Sequence, residues 1–419
     1  MKKNTTSRRS ILKGALATAF AAPLVVPRSI FGDETKAAPN DRVLVGHIGI
    51  GNQGGHLFRQ IQACKDAQSV AVADCFKSRR EGYAEVCDGK AYQDFRDILA
   101  RTDVDCVIIA TPDHWHVPIG IMAAKAKKSA YIEKPLGLTI EQNLACQKVF
   151  KEQDRIFQYG TQQRSQQHCW YGCELVRRGA IGTVHSIEVD APDGHGGGSL
   201  EEIPVPADFD YEMWLGPAPK APYTADRCRP DGTYMVYDQS IGYLGGWGAH
   251  PLDIMVWGSE ADLSGPITVE GTGKHNDNEL CNAVFNWDMK IKLGKVDLVF
   301  KPGGDRTKFI GDKGWIQVRR EGIEASEPEI LKTKIDEDKT ILQRSGNHYD
   351  DFIQAVKNHR PAVSGLTDAV RSDNISQLCD IAIRTKEKIT WDPIKMEFIT
   401  ASDQAKKMLS RPMRSPWTI

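Results

Sequence analysis

Residues 45–74, VGHIGIGNQGGHLFRQIQACKDAQSVAVAD, contain the pattern from which the fold of the first half of the chain is predicted. It starts as an apolar run, passes through three spaced glycines, continues with the periodicity of a helix, and returns to an apolar run that ends at Asp74. Gly49, Gly51 and Gly54 fit the pattern G-x-G-x-x-G. In this pattern the first glycine permits a tight turn, the second lets a pyrophosphate approach the backbone, and the third lets the helix pack closely on the strand. The stretch therefore predicts a βαβ unit that binds a dinucleotide.

The residues after the glycines bear on the choice of dinucleotide. Phosphate is expected at the start of the helix near Gly54, where unpaired N–H groups and the helix dipole favour an anion. Asp74 ends the next strand, where a carboxylate accepts hydrogen bonds from ribose hydroxyls and repels a 2′-phosphate. Lys77, Arg79 and Arg80 can accommodate a 2′-phosphate, but we interpret them as the solvated first turns of a helix. NAD is therefore expected rather than NADP.

Strand and helix patterns alternate up to about residue 160. Apolar runs predict strands at 43–49, 69–73, 104–111, 129–132 and 156–160. Helical periods predict helices at 54–66, 77–88, 93–100, 117–127 and 139–154. This alternation is typical of βαβ units around a doubly wound parallel sheet. We assign residues 39–160 to this Rossmann domain.

The second half of the chain has a different pattern. A long irregular stretch at 191–245 is followed by sheet-like alternation in PITVEGTG, NAVFNWDMKIKLGKVDLVF and TKFIGDKGWIQVRR. Successive strands with tight turns such as GDKG indicate an antiparallel sheet. Two helices, near 346–358 and 367–386, are predicted to close the chain. The predicted fold class is α/β, with the Rossmann domain followed by an α+β domain at 161–419 that has an open, mainly antiparallel sheet.

The N-terminal segment has the features of an export signal. MKKNTTSRRSILKGALATAFAAPLVVP, residues 1–27, has a basic start, the pair Arg8-Arg9 and an Ala-rich apolar run. The run is short and contains a lysine, so a transmembrane anchor is not expected. We interpret residues 1–38 as a twin-arginine signal peptide and linker, which predicts a periplasmic or otherwise exported protein that uses the twin-arginine machinery. The alternative is an amphipathic N-terminal helix.

Length, charge and cysteine spacing exclude several classes of protein. At 419 residues the chain is too long for one ordinary core, so two domains are expected. The net charge of −1 gives no basic footprint for nucleic acid. The ten cysteines include no C-x-x-C pair, so no metal site is predicted.

Further motifs follow strands of the predicted Rossmann sheet. TPDHWH (111–116) follows one buried strand and EKP (133–135) follows another. Both strand ends point to the edge where ligands bind in open α/β sheets, so Lys134 is placed to meet a substrate. Farther on, GGWGAHPLDIMVWG puts His250 and Asp253 three residues apart, on one face of a helix.

Lysine and histidine together suit the oxidation of an alcohol. Transfer of a hydride to a nicotinamide requires removal of the hydroxyl proton, and histidine titrates in the right range. A lysine nearby stabilises the alkoxide that develops. Taken singly, Lys134 also fits an exposed loop and His250 a helix-packing position. Trp247 suits stacking on a sugar ring, and Gln163 and Arg164 follow a strand end where they can hydrogen-bond hydroxyls.

The combination of the glycine turn, Asp74, TPDHWH and EKP resembles the Gfo/Idh/MocA family, named for glucose–fructose oxidoreductase and inositol dehydrogenase. Four further segments are similar to its exported bacterial branch: YGTQQRS (159–165), MWLGPAP (213–219), WGAH (247–250) and SRPMRSPW (410–417). The resemblance covers the chain from about Arg42 onward. It implies NAD(P) as the cofactor and a sugar or cyclitol as the substrate. Together with the open sheet, it also implies a homo-oligomer, either a dimer or a tetramer.

The resemblance implies roles for individual residues. Lys134 is the catalytic lysine of the E-K-P motif, and His250 matches the late catalytic histidine of the family. The expected substrate-binding residues are Lys134, Gln163, Arg164, Trp247 and His250. The expected cofactor-binding residues are Gly49, Gly51, Asn52, Gln53, Gly54, Asp74, Thr111, Pro112, His116 and Glu133.

One departure from the family pattern concerns the proton relay. The family usually has an aspartate four residues before the histidine, as in D-x-G-x-H, and this chain has Gly246 there. Asp253 and Asp238 are the candidates to replace it. Without that aspartate, the histidine lacks the partner that would orient it or share its proton, which argues against ordinary dehydrogenase turnover.

Three functions fit these residues. The first is an NAD(P)-dependent oxidoreductase that acts on a sugar or cyclitol hydroxyl. The second is a redox-neutral, NAD-dependent glycosidase, in which transient oxidation acidifies a neighbouring C–H and allows elimination and hydrolysis. The third is a cofactor-containing binding protein without turnover, for which Gly246 is the argument. Export in the folded state favours chemistry that returns a carried cofactor to its starting state.

Overall fold

The computed structural model describes residues 36–38, 41–259 and 265–419. The predicted signal peptide lies outside these residues, so the export prediction stays a prediction. In the described part of the chain, no helix combines the length and the apolar character needed to cross a membrane.

The first sheet consists, within the described residues, of six short parallel strands: β1 (Val43–Ile48), β2 (Ala67–Ala73), β3 (Lys90–Tyr92), β4 (Cys106–Ile109), β5 (Ser129–Ile132) and β6 (Phe157–Tyr159). Their order in the sheet is β3-β2-β1-β4-β5-β6. The strand order reverses between β1 and β4, and ligands bind at such switch points in open α/β sheets.

Helices alternate with these strands along the chain: α1 (Asn52–Ala63), α2 (Lys77–Val86), α3 (Phe95–Leu99), α4 (His116–Lys125) and α5 (Ile140–Gln153). Every strand and helix predicted up to residue 160 is present, with no bound shifted by more than three residues, which confirms the predicted Rossmann sheet. The sequence does not predict β3, because its three residues lie at the sheet edge and form no apolar run.

The second sheet is larger. In the described chain it has nine strands: β7 (Val184–Ala191), β8 (Ile267–Lys274), β9 (Asn286–Leu293), β10 (Val296–Pro302), β11 (Arg306–Gly311), β12 (Gly314–Arg319), β13 (Gly322–Ala325), β14 (Ile389–Asp392) and β15 (Glu397–Thr400). Their order is β13-β12-β11-β7-β10-β9-β8-β14-β15. All neighbours are antiparallel except β7 with β10. The predicted open, mainly antiparallel sheet is confirmed.

The helices of this half are α6 (Gln167–Arg177), α7 (Tyr211–Leu215), α8 (Pro230–Thr233), α9 (Tyr243–Gly246), α10 (Ala249–Gly258), α11 (His348–Asn358), α12 (Leu366–Thr385) and α13 (Asp403–Lys407). The two predicted closing helices are present as α11 and α12. The prediction that they close the chain is wrong, because β14, β15 and α13 follow. β14 pairs with β8, more than a hundred residues earlier in the chain, and no local pattern reveals such a pairing.

One face of the second sheet is covered and the other is open. Along β9, buried Trp287, Met289 and Ile291 alternate with exposed Asp288 and Lys290. The buried side chains join one apolar core with residues of α6, α10 and α12. The opposite face therefore presents charged residues, and its predicted role in oligomer formation stays a prediction.

The chain after residue 346 joins the two sheets. Phe352 of α11 packs in one buried cluster with Val43 and Val45 of β1. Ala369 and Val370 of α12 belong to the core of the first sheet. Packed apolar side chains thus hold the two halves together, and the predicted domain boundary near residue 160 stays a prediction.

Candidate active site

The glycine turn has the geometry that its pattern predicts. Gly49 has a φ of +81°, and a Cβ there would lie 2.8 Å from the backbone of Ala110. A Cβ on Gly54 would lie 2.1 Å from the carbonyl oxygen of Gly49, so only glycine lets α1 pack this closely. A Cβ on Gly51 would have room, with the guanidinium of Arg79 nearest at 3.7 Å. No side chain caps α1, so the amides of its first turn are available to a phosphate.

A cavity of about 460 Å³ opens beside this turn, between the two halves of the chain. Seven of the predicted cofactor-binding residues line it: Gly49, Gly51, Asn52, Gln53, Asp74, Thr111 and Pro112. The second half of the chain contributes Met213, Trp214, Cys228, Thr233 and Tyr234. Residues of both halves therefore form the walls of this cavity.

The remaining predicted cofactor-binding residues, Gly54, Glu133 and His116, stand behind the cavity wall. Gly54 lets α1 pack closely, as described above. Glu133 accepts a hydrogen bond from the side-chain amide of Gln53 at 2.8 Å and so holds this lining residue in place. His116 Nδ1 lies 2.6 Å from the carbonyl oxygen of Pro135, and Nε2 lies 2.9 Å from another carbonyl oxygen in the turn after β4. Burial lowers the pKa of His116 to about 4, so its neutral ring donates to one of these two oxygens. These residues support the wall and do not line it.

Asp74 is oriented by main-chain amides at the end of β2. Its carboxylate accepts hydrogen bonds from the amides of Ile50 (2.7 Å) and Phe76 (2.8 Å). Burial raises the pKa of Asp74 even though these amides and the neighbouring arginines lower it. Arg79 is exposed, as the sequence predicts, but it also lines the cavity, with its guanidinium 4.1 Å from the ring centroid of Phe76. The cavity therefore presents a carboxylate and a cation close together.

Lys134 follows β5 and faces two aromatic rings. Its ammonium nitrogen lies 5.4 Å from the ring centroid of Tyr234 and 6.0 Å from that of Trp247. Burial lowers the pKa of Lys134, but Tyr234, Glu133 and Asp113 together outweigh burial, and the pKa is raised. The side chain is therefore a cation at neutral pH.

His250, in α10, is buried and neutral. The residue is 4% exposed, and its ring centroid lies 5.9 Å from that of Trp247. Burial, Lys134 and Arg320 lower the pKa of His250 well below 6.5. Among the described residues, none hydrogen-bonds its Nδ1. A neutral imidazole can act as a general base toward a hydroxyl.

Neither candidate carboxylate takes the place left by Gly246. Both oxygens of Asp253 pair with Arg164, at 2.6 and 2.7 Å. Asp238 lines a separate, smaller cavity together with Arg411. The expectation that one of these two aspartates replaces the missing side chain is therefore wrong.

Arg164 does not meet the expectation of a substrate-binding residue. It is 2% exposed and pairs with Asp253 and, at 3.0 Å, with Asp368. A short 3₁₀ helix, Gln162–Ser165, turns its side chain into the protein interior. Its guanidinium is used in buried ion pairs, so we correct its role to a structural one.

Gln163 contacts Asp305, which also binds Arg320, and the sequence predicts a role for neither of these two residues. Its amide donates to Asp305 at 2.7 Å, and Arg320 donates to the same carboxylate at 3.0 Å. The guanidinium of Arg320 lies 5.8 Å from the ring centroid of Trp247. Gln163 is 2% exposed and the Arg320 side chain 34%, so a substrate would meet Arg320 first. Both new residues lie in connections after strands, where charged side chains are common.

Asp113 and Tyr234 are further site residues that sequence reasoning misses. Asp113 accepts a hydrogen bond from the hydroxyl of Ser240 at 2.6 Å, and burial raises its pKa to about 7. Tyr234 lines the cavity from the second half of the chain. The TPDHWH motif is the signal for Asp113, whereas Tyr234 lies in the irregular stretch 191–245, where no pattern marks it.

Two family models match the chain, one over the first sheet and one over most of the second half. Residues 43–161 match the oxidoreductase family model described as the NAD-binding Rossmann fold, and residues 193–419 match the one described as the C-terminal alpha/beta domain. The chain belongs to the Gfo/Idh/MocA oxidoreductase family. The resemblance drawn from the glycine turn and the TPDHWH and EKP motifs is thereby confirmed.

Similarity to individual proteins covers only part of their length. A glycosyl hydrolase family 109 protein 2 from Shewanella sp. (strain ANA-3) is 35% identical over 161 residues, which cover 32% of this Gfo/Idh/MocA chain and 35% of that protein. The inositol 2-dehydrogenase of Rhizobium meliloti (strain 1021) is 30% identical over 182 residues, 41% of this chain and 54% of that protein. The chain thus spans from about a third to about half of the length of these relatives.

A solved structure shows the same fold. The aldose-aldose oxidoreductase from Caulobacter crescentus, complexed with glycerol, aligns with a TM-score of 0.63 and 17% sequence identity. The alignment covers 83% of this chain and 99% of that one.

Proposed function

We propose that this Gfo/Idh/MocA protein transfers a hydride between a hydroxyl group of a sugar or cyclitol and a tightly bound nicotinamide, with NAD preferred over NADP. The observation that carries the proposal is a cationic lysine next to Tyr234, which lines the cavity of the glycine turn, and a neutral imidazole that shares the neighbour Trp247 with this lysine. The names of the relatives support a polyhydroxylated substrate, because they refer to a glycosyl hydrolase, an inositol dehydrogenase and an aldose oxidoreductase.

The residues of the cavity fit a dinucleotide. Gly49 and Gly54 shape a turn that no larger residue fits, and the uncapped first turn of α1 offers amides to the pyrophosphate. Asp74 offers a carboxylate to the ribose hydroxyls. A bound nicotinamide supplies the hydride acceptor.

Three side chains then act on the alcohol. The imidazole of His250 accepts the hydroxyl proton as the C–H bond gives up its hydride, and it returns the proton in the reverse direction. The ammonium of Lys134 stabilises the negative charge that develops on the oxygen. Trp247, about equally distant from both groups at 5.9 and 6.0 Å, offers an aromatic face to the sugar ring.

The preference for NAD rests on Asp74. Two main-chain amides fix its carboxylate at the cavity wall, where it repels a 2′-phosphate. The guanidinium of Arg79 would attract a 2′-phosphate and so favour NADP, but its side chain is exposed and its charge is therefore screened by solvent.

Protein purified without added nucleotide tests the proposal. Mass spectrometry of the denatured protein identifies any released dinucleotide, and sugars and cyclitols are then added to the native protein while the absorbance of reduced nicotinamide is followed. We expect stoichiometric NAD that at least one of these compounds reduces. Lys134→Ala should retain NAD and lose reduction, whereas Lys148→Ala, with a side chain that is 75% exposed, should behave as wild type.

Two results would contradict the proposal. If the protein neither contains nor takes up a dinucleotide, the glycine turn has no cofactor role, and a binding protein without turnover becomes the preferred function. If Lys134→Ala leaves the activity unchanged, both enzyme functions fail.

The partial identity with the glycosyl hydrolase family 109 protein favours a second candidate, a redox-neutral glycosidase. In such an enzyme, oxidation of one sugar hydroxyl acidifies the neighbouring C–H, loss of that proton expels the glycosidic oxygen, and water and hydride then add back. Aryl glycosides in deuterated water separate the two candidates. Release of the phenol with deuterium in the sugar supports the glycosidase, and reduced nicotinamide that accumulates without release supports the oxidoreductase.

Location and assembly belong to the same proposal. We expect the Arg8-Arg9 leader to direct export of the folded, NAD-loaded protein, and the open face of the second sheet to form a dimer or tetramer. Replacement of both arginines by lysine should keep the protein in the cytoplasm, as fractionation would show. Light scattering measures the subunit number, and a monomer would contradict the expected assembly.

A further inference from the structure

We propose that the phenol of Tyr234, from the space beside Gly246, donates a hydrogen bond to the reacting oxygen of the substrate. The inference rests on the proposed function, because it names a further residue of the same reaction. Tyr234 precedes Gly246 by twelve residues and lies outside every motif of the chain. Three observations support this role: the position of its ring beside Gly246, its place between Lys134 and the cavity, and the state of its hydroxyl.

The first observation is the shared space. A Cβ built on Gly246 would find Tyr234 nearest, with Cδ1 at 3.6 Å and Cε1 at 4.0 Å. The Cβ itself fits, and the tyrosine ring is the only group within 4 Å of it in the described structure. The ring therefore occupies space beside position 246 that a longer side chain there could enter.

The second observation is the position of Tyr234 between the cavity and the catalytic candidates. It lines the cavity, and its ring centroid lies 5.4 Å from the ammonium nitrogen of Lys134. The backbone before it is fixed, because the hydroxyl of Thr233 donates to the carbonyl oxygens of Arg227 (3.0 Å) and Arg229 (2.9 Å). The ring is therefore held beside Lys134 and faces the ligand space.

The third observation is the state of the hydroxyl. Lys134 lowers the pKa of Tyr234, but burial, Asp113 and Glu133 raise it more, so the phenol stays protonated at neutral pH. In the part of the chain that the structure describes, this hydroxyl hydrogen-bonds to no other residue. A protonated donor without a protein partner is available to a substrate oxygen.

These positions define one balanced step. The substrate O–H proton passes to His250, the C–H bond gives its hydride to the nicotinamide, and a C=O bond forms. The oxygen accepts hydrogen bonds from Tyr234 and Lys134 while its charge develops. Tyr234 keeps its proton throughout, so it acts as an oxyanion donor and His250 acts as the base.

Tyr234→Phe tests the proposal, because it removes the hydroxyl and keeps the ring. We expect kcat to fall about 100-fold, as for the loss of one oxyanion donor, with KM and NAD content within about twofold of wild type. Tyr243→Phe is the matched control. Its ring lies 6.1 Å from that of Tyr234, but Tyr243 does not belong to the cavity wall, so its kcat should stay within about twofold.

The possible outcomes separate the inference from the proposed function. An unchanged kcat in Tyr234→Phe, or an equal fall in both variants, would overturn the inference and leave the proposed function intact. A loss of NAD in place of a loss of kcat would also overturn it, since Tyr234 would then serve the cofactor. A wild-type protein that binds no dinucleotide defeats the proposed function and the inference with it.

Thermal unfolding tests the shared space without any activity measurement. Gly246→Asp should lower Tm in the wild-type background, because its carboxylate meets the ring of Tyr234. In a Tyr234→Ala background the space is open, and the same substitution should lower Tm less, which gives a measurable coupling in a double-mutant cycle. Equal shifts in the two backgrounds would show that the positions do not share space and would overturn the inference.

Discussion

Lys134 and Asp113 follow strands of the first sheet, His250 lies in α10 beside Trp247, and the surroundings of each side chain set its charge. His250 stays neutral because burial and two nearby cations oppose its protonation. Lys134 stays charged because neighbouring acidic groups outweigh its burial. Asp113, which burial brings to a pKa of about 7, is the group of the three that titrates near neutral pH.

Asp113 is expected to make the affinity for NAD depend on pH. It lines the cavity, and its ionised form attracts the positively charged ring of oxidised nicotinamide. The pKa of Asp113 is about 7 in the free protein, and a bound cationic ring is expected to lower it, so the affinity for NAD should rise as the pH approaches about 7 and then level off. NADH, whose ring is neutral, should show no such rise. Titrations of both forms between about pH 5 and about pH 8 measure the difference.

Two variants decide whether Asp113 is the titrating group. Asp113→Asn should remove the pH dependence of NAD binding. Asp97→Asn, which changes an exposed carboxylate that does not line the cavity, should retain it. A pH dependence that survives in Asp113→Asn assigns the titration to another residue.

Asp74 and Arg79 are expected to act in opposite directions on the choice of dinucleotide. Asp74→Asn should weaken NAD about tenfold, as for one charge-assisted hydrogen bond, and strengthen NADP because the repulsion of its phosphate is lost. Arg79→Gln should weaken NADP and leave NAD unchanged. Lys77→Gln, on the same helix but away from the cavity wall, is the control. Measured Kd values that move together for both dinucleotides would contradict this division of roles.

At the scale of elements, the packing of α1 on β1 depends on Gly54. A Cβ there would lie 2.1 Å from a carbonyl oxygen, so Gly54→Ala should displace the helix, lower Tm and reduce NAD retention. Gly82→Ala is the matched control, because its Cβ would meet nothing within 4 Å in α2. It should stabilise the protein by about 1 kcal/mol, the helix propensity gained over glycine. Equal Tm values for the two variants would refute the packing argument.

The elements also show which parts of the fold follow from sequence. The central strands of the first sheet are buried on both faces, so they stand out as continuous apolar runs. β3 and the pair β14 and β15 are edge elements whose pairing depends on distant partners, and the sequence does not predict them.

The same limit applies to the candidate site. Lys134 and His250 belong to recognisable motifs, and the structure brings both close to Trp247. Arg164 also belongs to a motif, but its direction depends on Asp253, 89 residues away. Tyr234 and Gly246 become neighbours only through folding, so spacing along the chain does not reveal their relation.

At the scale of the whole molecule, two segments of the second half close the cofactor cavity. The first segment, residues 209–214, lies against the residues that follow β2. The ring of Phe209 stacks on that of Phe76 with the centroids 4.0 Å apart, and the amide of Asp210 donates to the carbonyl oxygen of Cys75 at 3.0 Å. It continues into the lining residue Trp214. This segment therefore joins the side of the cavity that Asp74 and Phe76 line to the second half of the chain.

The second segment, 411–417, holds the first one in place. Arg414 donates to the carbonyl oxygen of Gly216 at 2.9 Å and pairs with Glu212 at 2.6 Å. Trp417 packs at 4.7 Å against the ring of Trp115, which lines the cavity. A ligand leaving past this wall requires both segments to move.

Trp417→Ala is therefore expected to speed the release of bound NAD. Loss of the ring loosens Trp115 and the wall beside it, and the dissociation rate should rise about tenfold, since losses of packing at a binding site act mainly on dissociation. Exchange of bound NAD against labelled NAD in the intact protein measures this rate.

Phe398→Ala controls for a general loss of packing. Phe398 is a partly buried aromatic residue of β15 that packs on Trp391 at 5.2 Å and does not line the cavity. It should lower Tm without changing the dissociation rate. If both variants release NAD at the wild-type rate, the segment 411–417 stabilises the fold but does not retain the cofactor. If both release it faster to the same extent, retention follows global stability and not the closure of this wall.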